Sequence, residues 1–287
     1  MKKILIMGAT GFIGKNLYEF LFDRYDVLAP KREELDILDE KKVYSYIKNN
    51  NFDIIINALD IRDTDNLYFE HRLRMFLNIE RCSNLYEKMI YFGSGAEYAR
   101  ELPVINIYEE EFDRKIPEDT YGFCLHQMSK YAIKSDNIYN FRLFGIFGRY
   151  ELWRRRFISN AICKALYDYP ITIRQNMIFD YLYVDDLCNI VDWAINNKPM
   201  YHDYNVVSGK KIELKELAYL VNKVTEKNVP IYIAKEGMGK EYTASGQRLY
   251  SEIPAFKAED IEKSIAKLAK WYKQNLDLID RYNLLYQ

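Results

Sequence analysis

Apolar and polar residues alternate along the first half of the chain in a pattern that predicts strands followed by helices. A short apolar run at Lys3–Met7 predicts the first strand, and the next residues carry apolar side chains at helical spacing (Phe12, Leu17, Phe20 and Leu21). Further strands are predicted at Asp26–Ala29, Asp53–Ala58, Lys88–Phe92 and Ile138–Phe144, and helices at Asp39–Asn50, Asn66–Glu87 and Thr120–Ser135. Because parallel strands need crossover helices, this order predicts an α/β fold with a doubly wound parallel sheet over residues 1–150.

The second half of the chain has a less regular pattern. Helices are predicted at Leu152–Tyr169, Asp185–Asn197, Glu213–Glu226 and Glu259–Leu276, strands at Ile171–Tyr183, Tyr204–Val207 and Val229–Ala234, and a glycine-bearing loop at Gly237–Ser251. We expect residues 151–287 to form mainly a smaller α/β substrate lobe at the C-terminal end. Residues 178–200 are expected to return to the first sheet.

Composition excludes several classes of function. The 287 residues carry 41 Lys+Arg against 42 Asp+Glu, a formal net charge of −1, whereas a protein that binds nucleic acid or an anionic membrane needs a basic surface. No apolar run has the length of a membrane span, and glycines break the apolar N-terminal segment, so we expect a cytoplasmic protein. The 4 Cys and 3 His are scattered without metal-ligand spacing, which favours neither a metal site nor a disulfide framework.

Three glycines between the first strand and the first helix carry the strongest chemical signal. Gly8, Gly11 and Gly14 follow a strand and open an amphipathic helix. Glycine lets the backbone approach a pyrophosphate, and the helix N-terminus offers N–H groups and partial positive charge. The pattern therefore predicts a dinucleotide site on a Rossmann-type sheet.

The same glycine spacing, together with several ordered motifs, resembles the extended short-chain dehydrogenase/reductase family, which acts mainly on nucleotide sugars. The motifs are GATGFIG at 8–14, FDIIINAL at 52–59, YFGSGAEY at 91–98, Tyr121-Gly122, RLFGIFG at 142–148 and FDYLYVDD at 179–186. This resemblance covers most of the chain. It implies a nucleotide-diphosphate sugar as substrate and a homodimer formed through the helices at 66–87 and 120–135.

The residues after the second strand indicate which dinucleotide binds. Lys31 and Arg32 are suited to the 2′-phosphate of NADP, although NAD(H) and a solvated charged turn stay open as alternatives. The RxELD pattern at 32–36 resembles that of GDP-L-fucose synthases and dTDP-4-dehydrorhamnose reductases, which favour NADPH. The resemblance also assigns Thr10, Phe12, Ile13, Asp36, Ile37, Ala58, Leu59 and Tyr121 to the cofactor site.

The resemblance implies a Ser, Tyr and Lys that handle the proton while a hydride is transferred. Ser94 and Tyr121 match the first two. Leu125 stands where the family has the lysine, four residues after the tyrosine on one helix face. An alternative register would use His126 and Lys130 instead. Leu125 is consistent with a natural variant that relies on other groups, with a protein that binds without turnover, or with an inactivating substitution.

Candidate substrate contacts are Ser94, Asn160, Arg174, Tyr242 and Arg248, with Arg248 favoured as a diphosphate clamp on a loop. The leading interpretation is an NADP(H)-dependent reductase of a 4-keto nucleotide sugar in surface-polysaccharide biosynthesis. The alternatives are an NAD-dependent epimerase or dehydratase of the same substrate class, and a catalytically impaired dinucleotide-binding protein. A reductase tolerates Leu125 best, because a tyrosine that donates a proton is already protonated at neutral pH.

Overall fold

The computed structural model of the protein describes residues 1–60 and 67–285. Its strands are β1 (Lys3–Met7), β2 (Asp26–Leu28), β3 (Ile54–Asn57), β4 (Lys88–Ser94), β5 (Val104–Ile107), β6 (Ile138–Leu143), β7 (Gly145–Phe147), β8 (Ile171–Asn176), β9 (Ile178–Tyr183), β10 (Asp203–Val206), β11 (Lys211–Glu213), β12 (Ile231–Met238) and β13 (Tyr242–Ala244). Its α-helices are α1 (Phe12–Leu21), α2 (Glu40–Asn50), α3 (Tyr68–Glu80), α4 (Thr120–Lys134), α5 (Phe157–Leu166), α6 (Val184–Asn196), α7 (Leu214–Thr225), α8 (Gln247–Glu252), α9 (Ile261–Gln274) and α10 (Arg281–Leu285).

A parallel sheet forms the first half of the molecule. Within the described residues it has six strands in the order β10-β6-β4-β3-β1-β2, and every neighbouring pair is parallel. The predicted doubly wound sheet is therefore confirmed. The chain moves from β1 to β2 on one side and then to β3 on the other. Sheets of this kind bind ligands at the carboxyl ends of the strands where the order reverses, here β1 and β3.

Helices cover both faces of this sheet. On one face α1 and α6 contribute Leu17 and Leu187 to an apolar cluster that includes Ile4, Ile54 and Ile90. On the other face α2, α3 and α4 bury Val43, Phe76 and Leu125 against Leu5, Met7, Ile55 and Tyr91. Burial on both faces explains why the central strands are almost continuously apolar.

The second half of the chain builds the smaller lobe. The strands β11, β9, β13 and β5 form one sheet, to which β7 is joined through β9, and β8 pairs with β12. Helices α5, α7 and α9 bury Ile162, Leu217 and Leu268 in a common core. Three elements return to the first half: α6 and α8 pack on the six-stranded sheet and β10 extends its edge. None of the helices that the structure describes has the length and apolar character needed to cross a membrane.

Several element boundaries differ from the predicted ones. Helix α5 begins at Phe157, because Arg156 is in an extended conformation at its N-cap, so Arg154–Arg156 precede the helix instead of forming its first turn. The predicted loop at 237–251 contains β13 and α8. The long predicted helix ends at Glu80 and is followed by a 3-10 turn, and its predicted first residue, Asn66, lies outside the described residues. The short strands β5, β7, β11 and β13 were not predicted, because three or four residues carry little periodicity.

Candidate active site

The glycine loop lies at the carboxyl end of β1, at the reversal of the strand order. Gly8 has φ +82°, and a Cβ there would come within 2.5 Å of the carbonyl oxygen of Ala58. A Cβ on Gly14 would lie 2.2 Å from the Gly8 carbonyl oxygen, so α1 can approach the loop only with glycine at this position. Gly11 is the N-cap of α1 and offers no side-chain cap, which leaves helix N–H groups open to an acceptor. These features fit the pyrophosphate of a dinucleotide.

Other predicted cofactor residues border the same end of the sheet. Ala58 and Leu59 follow β3 directly beside Gly8. Thr10 is exposed, whereas Phe12 and Ile13 at the start of α1 are half-buried and pack on the apolar core. The loop therefore has an open polar side and an apolar side anchored in the protein.

The turn after β2 carries the two candidate cations. Lys31 and Arg32 are both exposed, and the Lys31 amide donates a hydrogen bond to Glu34. Asp36 accepts a hydrogen bond from the Leu38 amide at 3.1 Å, and the buried Ile37 accepts one from Asn78 through its carbonyl oxygen. The turn is thus held by Glu34, Asp36 and Ile37, and it presents the two cations to solvent.

Ser94 ends β4 and caps the following 3-10 turn. Its hydroxyl oxygen accepts a hydrogen bond from the Ala96 amide at 3.2 Å, and its own amide donates to Glu97 at 3.0 Å. Tyr242 of β13 is also hydrogen-bonded to the Ser94 side chain. Burial raises the pKa of Tyr242 and the bond to Ser94 opposes this, so the Tyr242 hydroxyl stays protonated beside Ser94.

A fully buried polar network around Glu97 stabilises the Ser94 turn. The Glu97 carboxylate pairs with Nε of Arg142 at 2.5 Å and accepts hydrogen bonds from Ser129 and Asn140. Burial raises the pKa of Glu97, whereas Arg142 and Ser129 lower it. Because Glu97 is 0% exposed and engaged by these partners, it cannot reach a substrate above Ser94. This geometry counts against Glu97 as the acid of a dehydratase.

Tyr121 lies in the first turn of α4. Asp119 caps this helix by accepting a hydrogen bond from the Gly122 amide at 2.8 Å. The Tyr121 side chain is 37% exposed, so it is open on one side. The guanidinium carbons of Arg72 and Arg100 lie 5.6 and 6.0 Å from the centre of its ring.

The first turn of α4 packs directly on the Ser94 turn. A Cβ added to Gly122 would lie 2.7 Å from the Ala96 carbonyl oxygen, so the two backbones are in close contact. Tyr242 is hydrogen-bonded to Ser94 and interacts electrostatically with Tyr121. The structure therefore brings the two predicted catalytic residues to one place, beside the carboxyl end of β4.

The missing lysine leaves an apolar side chain at its position. Leu125 is 0% exposed and belongs to the core between α4 and the sheet. His126 and Lys130 both pair with Asp113, at 3.0 and 2.9 Å. Burial lowers the pKa of His126, and Asp113 raises it. This shared pairing with Asp113 disfavours the alternative register, in which His126 would replace the tyrosine.

The predicted substrate residues are less closely grouped. Asn160 is half-buried on α5, and Arg174 is exposed on β8, both in the smaller lobe. Arg248 lies on α8 and pairs with Asp203, Glu109 and Glu110. Because three carboxylates surround its guanidinium, a diphosphate would have to displace them, which disfavours Arg248 as the clamp.

Sequence reasoning missed two cations next to Tyr121, Arg72 and Arg100. Their positions on α3 and in the loop after Ala99 carry no motif, and only the fold brings them to α4. Tyr242 was a candidate for the substrate side, and its bond to Ser94 places it beside the predicted catalytic serine.

Comparisons with known proteins agree with the fold. The model of the NAD dependent epimerase/dehydratase family matches residues 4–207. A GDP-L-colitose synthase of Yersinia pseudotuberculosis is 21% identical, over 94% of this chain and 97% of its own length. A GDP-L-fucose synthetase from Naegleria fowleri bound to NADP has a TM-score of 0.84 at 14% identity, covering 96% of this chain and 95% of that one. The GDP-mannoheptose C4 reductase from Campylobacter jejuni with NADP bound has a TM-score of 0.78 at 17% identity, covering 95% and 98%.

Proposed function

The chain belongs to the NAD dependent epimerase/dehydratase family, and from this membership we propose that it is an NADP(H)-dependent reductase of a 4-keto nucleotide sugar in surface-polysaccharide biosynthesis. The observation that carries the proposal is the close contact between the Tyr121 turn and the Ser94 turn, at the sheet edge that also bears the Gly8–Gly14 loop. A colitose synthase and a heptose C4 reductase with NADP bound are among the similar proteins, which supports a reductase.

In the proposed mechanism each residue has one role. The nicotinamide, when bound, supplies a hydride to the keto carbon. Ser94 donates a hydrogen bond to the keto oxygen and orients it, and Tyr121 gives that oxygen its proton. Gly8, Gly11 and Gly14 hold the pyrophosphate, and Lys31 and Arg32 hold the 2′-phosphate that distinguishes NADP from NAD.

Reduction suits this site better than oxidation or dehydration. A tyrosine side chain is ordinarily protonated at neutral pH and needs no base to act as an acid. Glu97 is fully buried and paired with Arg142, so it is not free to act as the acid of a dehydratase.

The test is a product assay with a panel of GDP-, CDP-, UDP- and dTDP-linked 4-keto sugars. With NADPH deuterated at the transferred position, we expect one panel member to gain one deuterium at C4. Tyr121→Phe is expected to lower kcat about 100-fold or more, and Ser94→Ala about tenfold or more. Tyr219→Phe, an exposed tyrosine on α7, is the matched control and should leave kcat unchanged.

Three results would contradict the proposal. An isomer of unchanged mass would indicate an epimerase, and loss of one water would indicate a dehydratase. Binding of a dinucleotide with no turnover on any sugar would favour a protein that binds without catalysis.

The assembly and cellular location remain predictions. By family resemblance we expect a cytoplasmic homodimer formed through α3 and α4. Light scattering after size-exclusion chromatography measures the mass directly, and a monomer at assay concentration would contradict the dimer.

A further inference from the structure

Arg72 is a buried cation on α3 that faces Tyr121. Its side chain is 9% exposed, and its guanidinium carbon lies 5.6 Å from the centre of the Tyr121 ring. One terminal nitrogen donates to Asp60 at 2.7 Å and to the Tyr68 hydroxyl at 3.0 Å. Nε is buried and has no hydrogen-bond partner among the described residues. Asp60 and Tyr68 therefore do not account for all the donors of this guanidinium.

Arg72 is electrostatically coupled to Tyr121. Burial works against the charged form of Arg72, whereas Tyr68 and Tyr121 in their ionised forms, together with Asp60, raise its pKa. Arginine stays protonated at every pH at which the protein is folded, so this positive charge is permanent.

Other charged and titratable groups also face Tyr121. Arg100 lies at a similar distance from the ring, but it pairs with Asp119 at 3.1 Å and its side chain is 49% exposed. Tyr242 and Tyr68 approach from β13 and α3. Solvent screens an exposed charge more strongly than a buried one. The charge of Arg72 is therefore screened less than that of Arg100. Arg72 is buried, whereas its partner Asp60 is 72% exposed.

We infer that Arg72 is the positioning residue for Tyr121 and supplies, from α3, the positive charge that Leu125 does not supply from α4. A role of Arg72 in catalysis rests on the proposed function. The electrostatic coupling between Arg72 and the hydroxyl of Tyr121 exists with or without substrate. On this inference, Leu125 is a natural variation, and the protein relies on Arg72 in place of the family lysine.

The experiment measures that coupling directly in the full chain. 3-Fluorotyrosine is incorporated in place of Tyr121, and its fluorine NMR shift is followed against pH in the absence of substrate and cofactor. Arg72→Met removes the charge and keeps a side chain of similar length, whereas Arg72→Lys keeps the charge. Arg74→Met, on the exposed side of α3 and paired with Glu70, is the matched control.

We expect Arg72→Met to raise the midpoint of the fluorotyrosine titration by about one pH unit, the order expected when one nearby buried cation is removed. The guanidinium carbon of Arg72 lies 5.6 Å from the centre of the Tyr121 ring. Arg72→Lys should restore most of the shift, and Arg74→Met should leave the midpoint unchanged. Far-ultraviolet circular dichroism verifies that each variant is folded, and Arg72→Gln replaces Arg72→Met if that variant unfolds.

Two outcomes separate this inference from the proposed function. An unchanged midpoint in the folded Arg72→Met variant, or an equal shift in Arg72→Met and Arg72→Lys, would overturn the inference even if the protein reduces a keto sugar. A shift of the expected size in a protein that reduces no sugar would support the coupling and contradict the proposed function.

Discussion

Gly122 and Ala96 are in direct backbone contact, and this contact holds the Tyr121 turn on the Ser94 turn. A Cβ on Gly122 would lie 2.7 Å from the Ala96 carbonyl oxygen, and a backbone atom cannot move away as the end of a flexible side chain can. The distance between the two candidate catalytic residues therefore depends on a residue that carries no functional group.

Gly122→Ala is expected to lower kcat at least tenfold, because a misplacement of about 1 Å separates Tyr121 from the substrate oxygen. The control is Gly237→Ala, where φ is +75° and nothing lies within 4 Å of the added Cβ. That variant carries backbone strain of about 1 kcal/mol on β12, outside the Ser94 and Tyr121 turns, and should lose stability with a smaller effect on kcat. Equal kcat in the two variants would show that the contact does not position Tyr121.

Lys31 and Arg32 are expected to select NADPH. The double substitution Lys31→Ala/Arg32→Ala removes two exposed cations and should weaken NADPH binding about tenfold or more, with little effect on NADH. Isothermal titration calorimetry at low and high salt measures both affinities. Lys48→Ala removes another exposed cation, on α2, and should change neither. An equal loss for NADH and NADPH would remove these residues from the 2′-phosphate site.

Glu151 should make the stability of the smaller lobe depend on pH. This carboxyl group is buried and bonded to Ser159, and burial raises its pKa to about 8. A raised pKa in the folded state means that the folded protein holds the proton more tightly than the unfolded chain does. The stabilisation is complete below about pH 4, the unfolded value, and is lost as the pH rises through about 8.

The free energy of unfolding should therefore fall by about 1 kcal/mol per pH unit between pH 6 and 8. Glu151→Gln keeps the size of the side chain and should flatten this slope. Burial raises the pKa of Asp186 to about 6. Asp186 therefore also lowers the free energy of unfolding as the pH rises, but mainly below pH 6. Urea titrations at several pH values give the slopes, and equal slopes in the two proteins would contradict a protonated Glu151.

Leu125→Lys is expected to destabilise the protein without raising its activity. Leu125 is buried among Met7, Phe76 and Tyr91, and an ammonium group there costs on the order of 3 kcal/mol. Because Arg72 already places a positive charge beside Tyr121, the new lysine should increase kcat only in an Arg72→Met background. Comparison of kcat in the four combinations measures this coupling, and a gain in the otherwise unchanged chain would contradict it.

Local patterns were sufficient to predict the elements that position the site. β1 was predicted with its observed bounds, and α4 was predicted to within one residue, because each has a clear period and a clear end signal. These bounds depend on residues that are neighbours along the chain. The backbone contact between the Ser94 turn and the Tyr121 turn joins segments that are distant in the sequence, so local patterns carry no information about it.

The missed features depend on contacts between distant segments. Arg72 reaches Tyr121 only because α3 and α4 pack side by side on one face of the sheet. The pairing of Arg248 with Asp203 and Glu109 joins three separate segments, so a cation that looks free in the sequence is occupied in the fold. Spacing along a helix or strand carries no information about such contacts.

The return of the chain to the first sheet limits how the protein can be divided. β10 is the edge strand beside β6, although β7, α5, β8, β9 and α6 lie between them in the sequence. A fragment that ends near residue 150 would lose this strand and leave the buried backbone of β6 as an open edge, which invites pairing between molecules. The two halves of the chain are therefore one folding unit, and separate expression of the nucleotide-binding half should give aggregates.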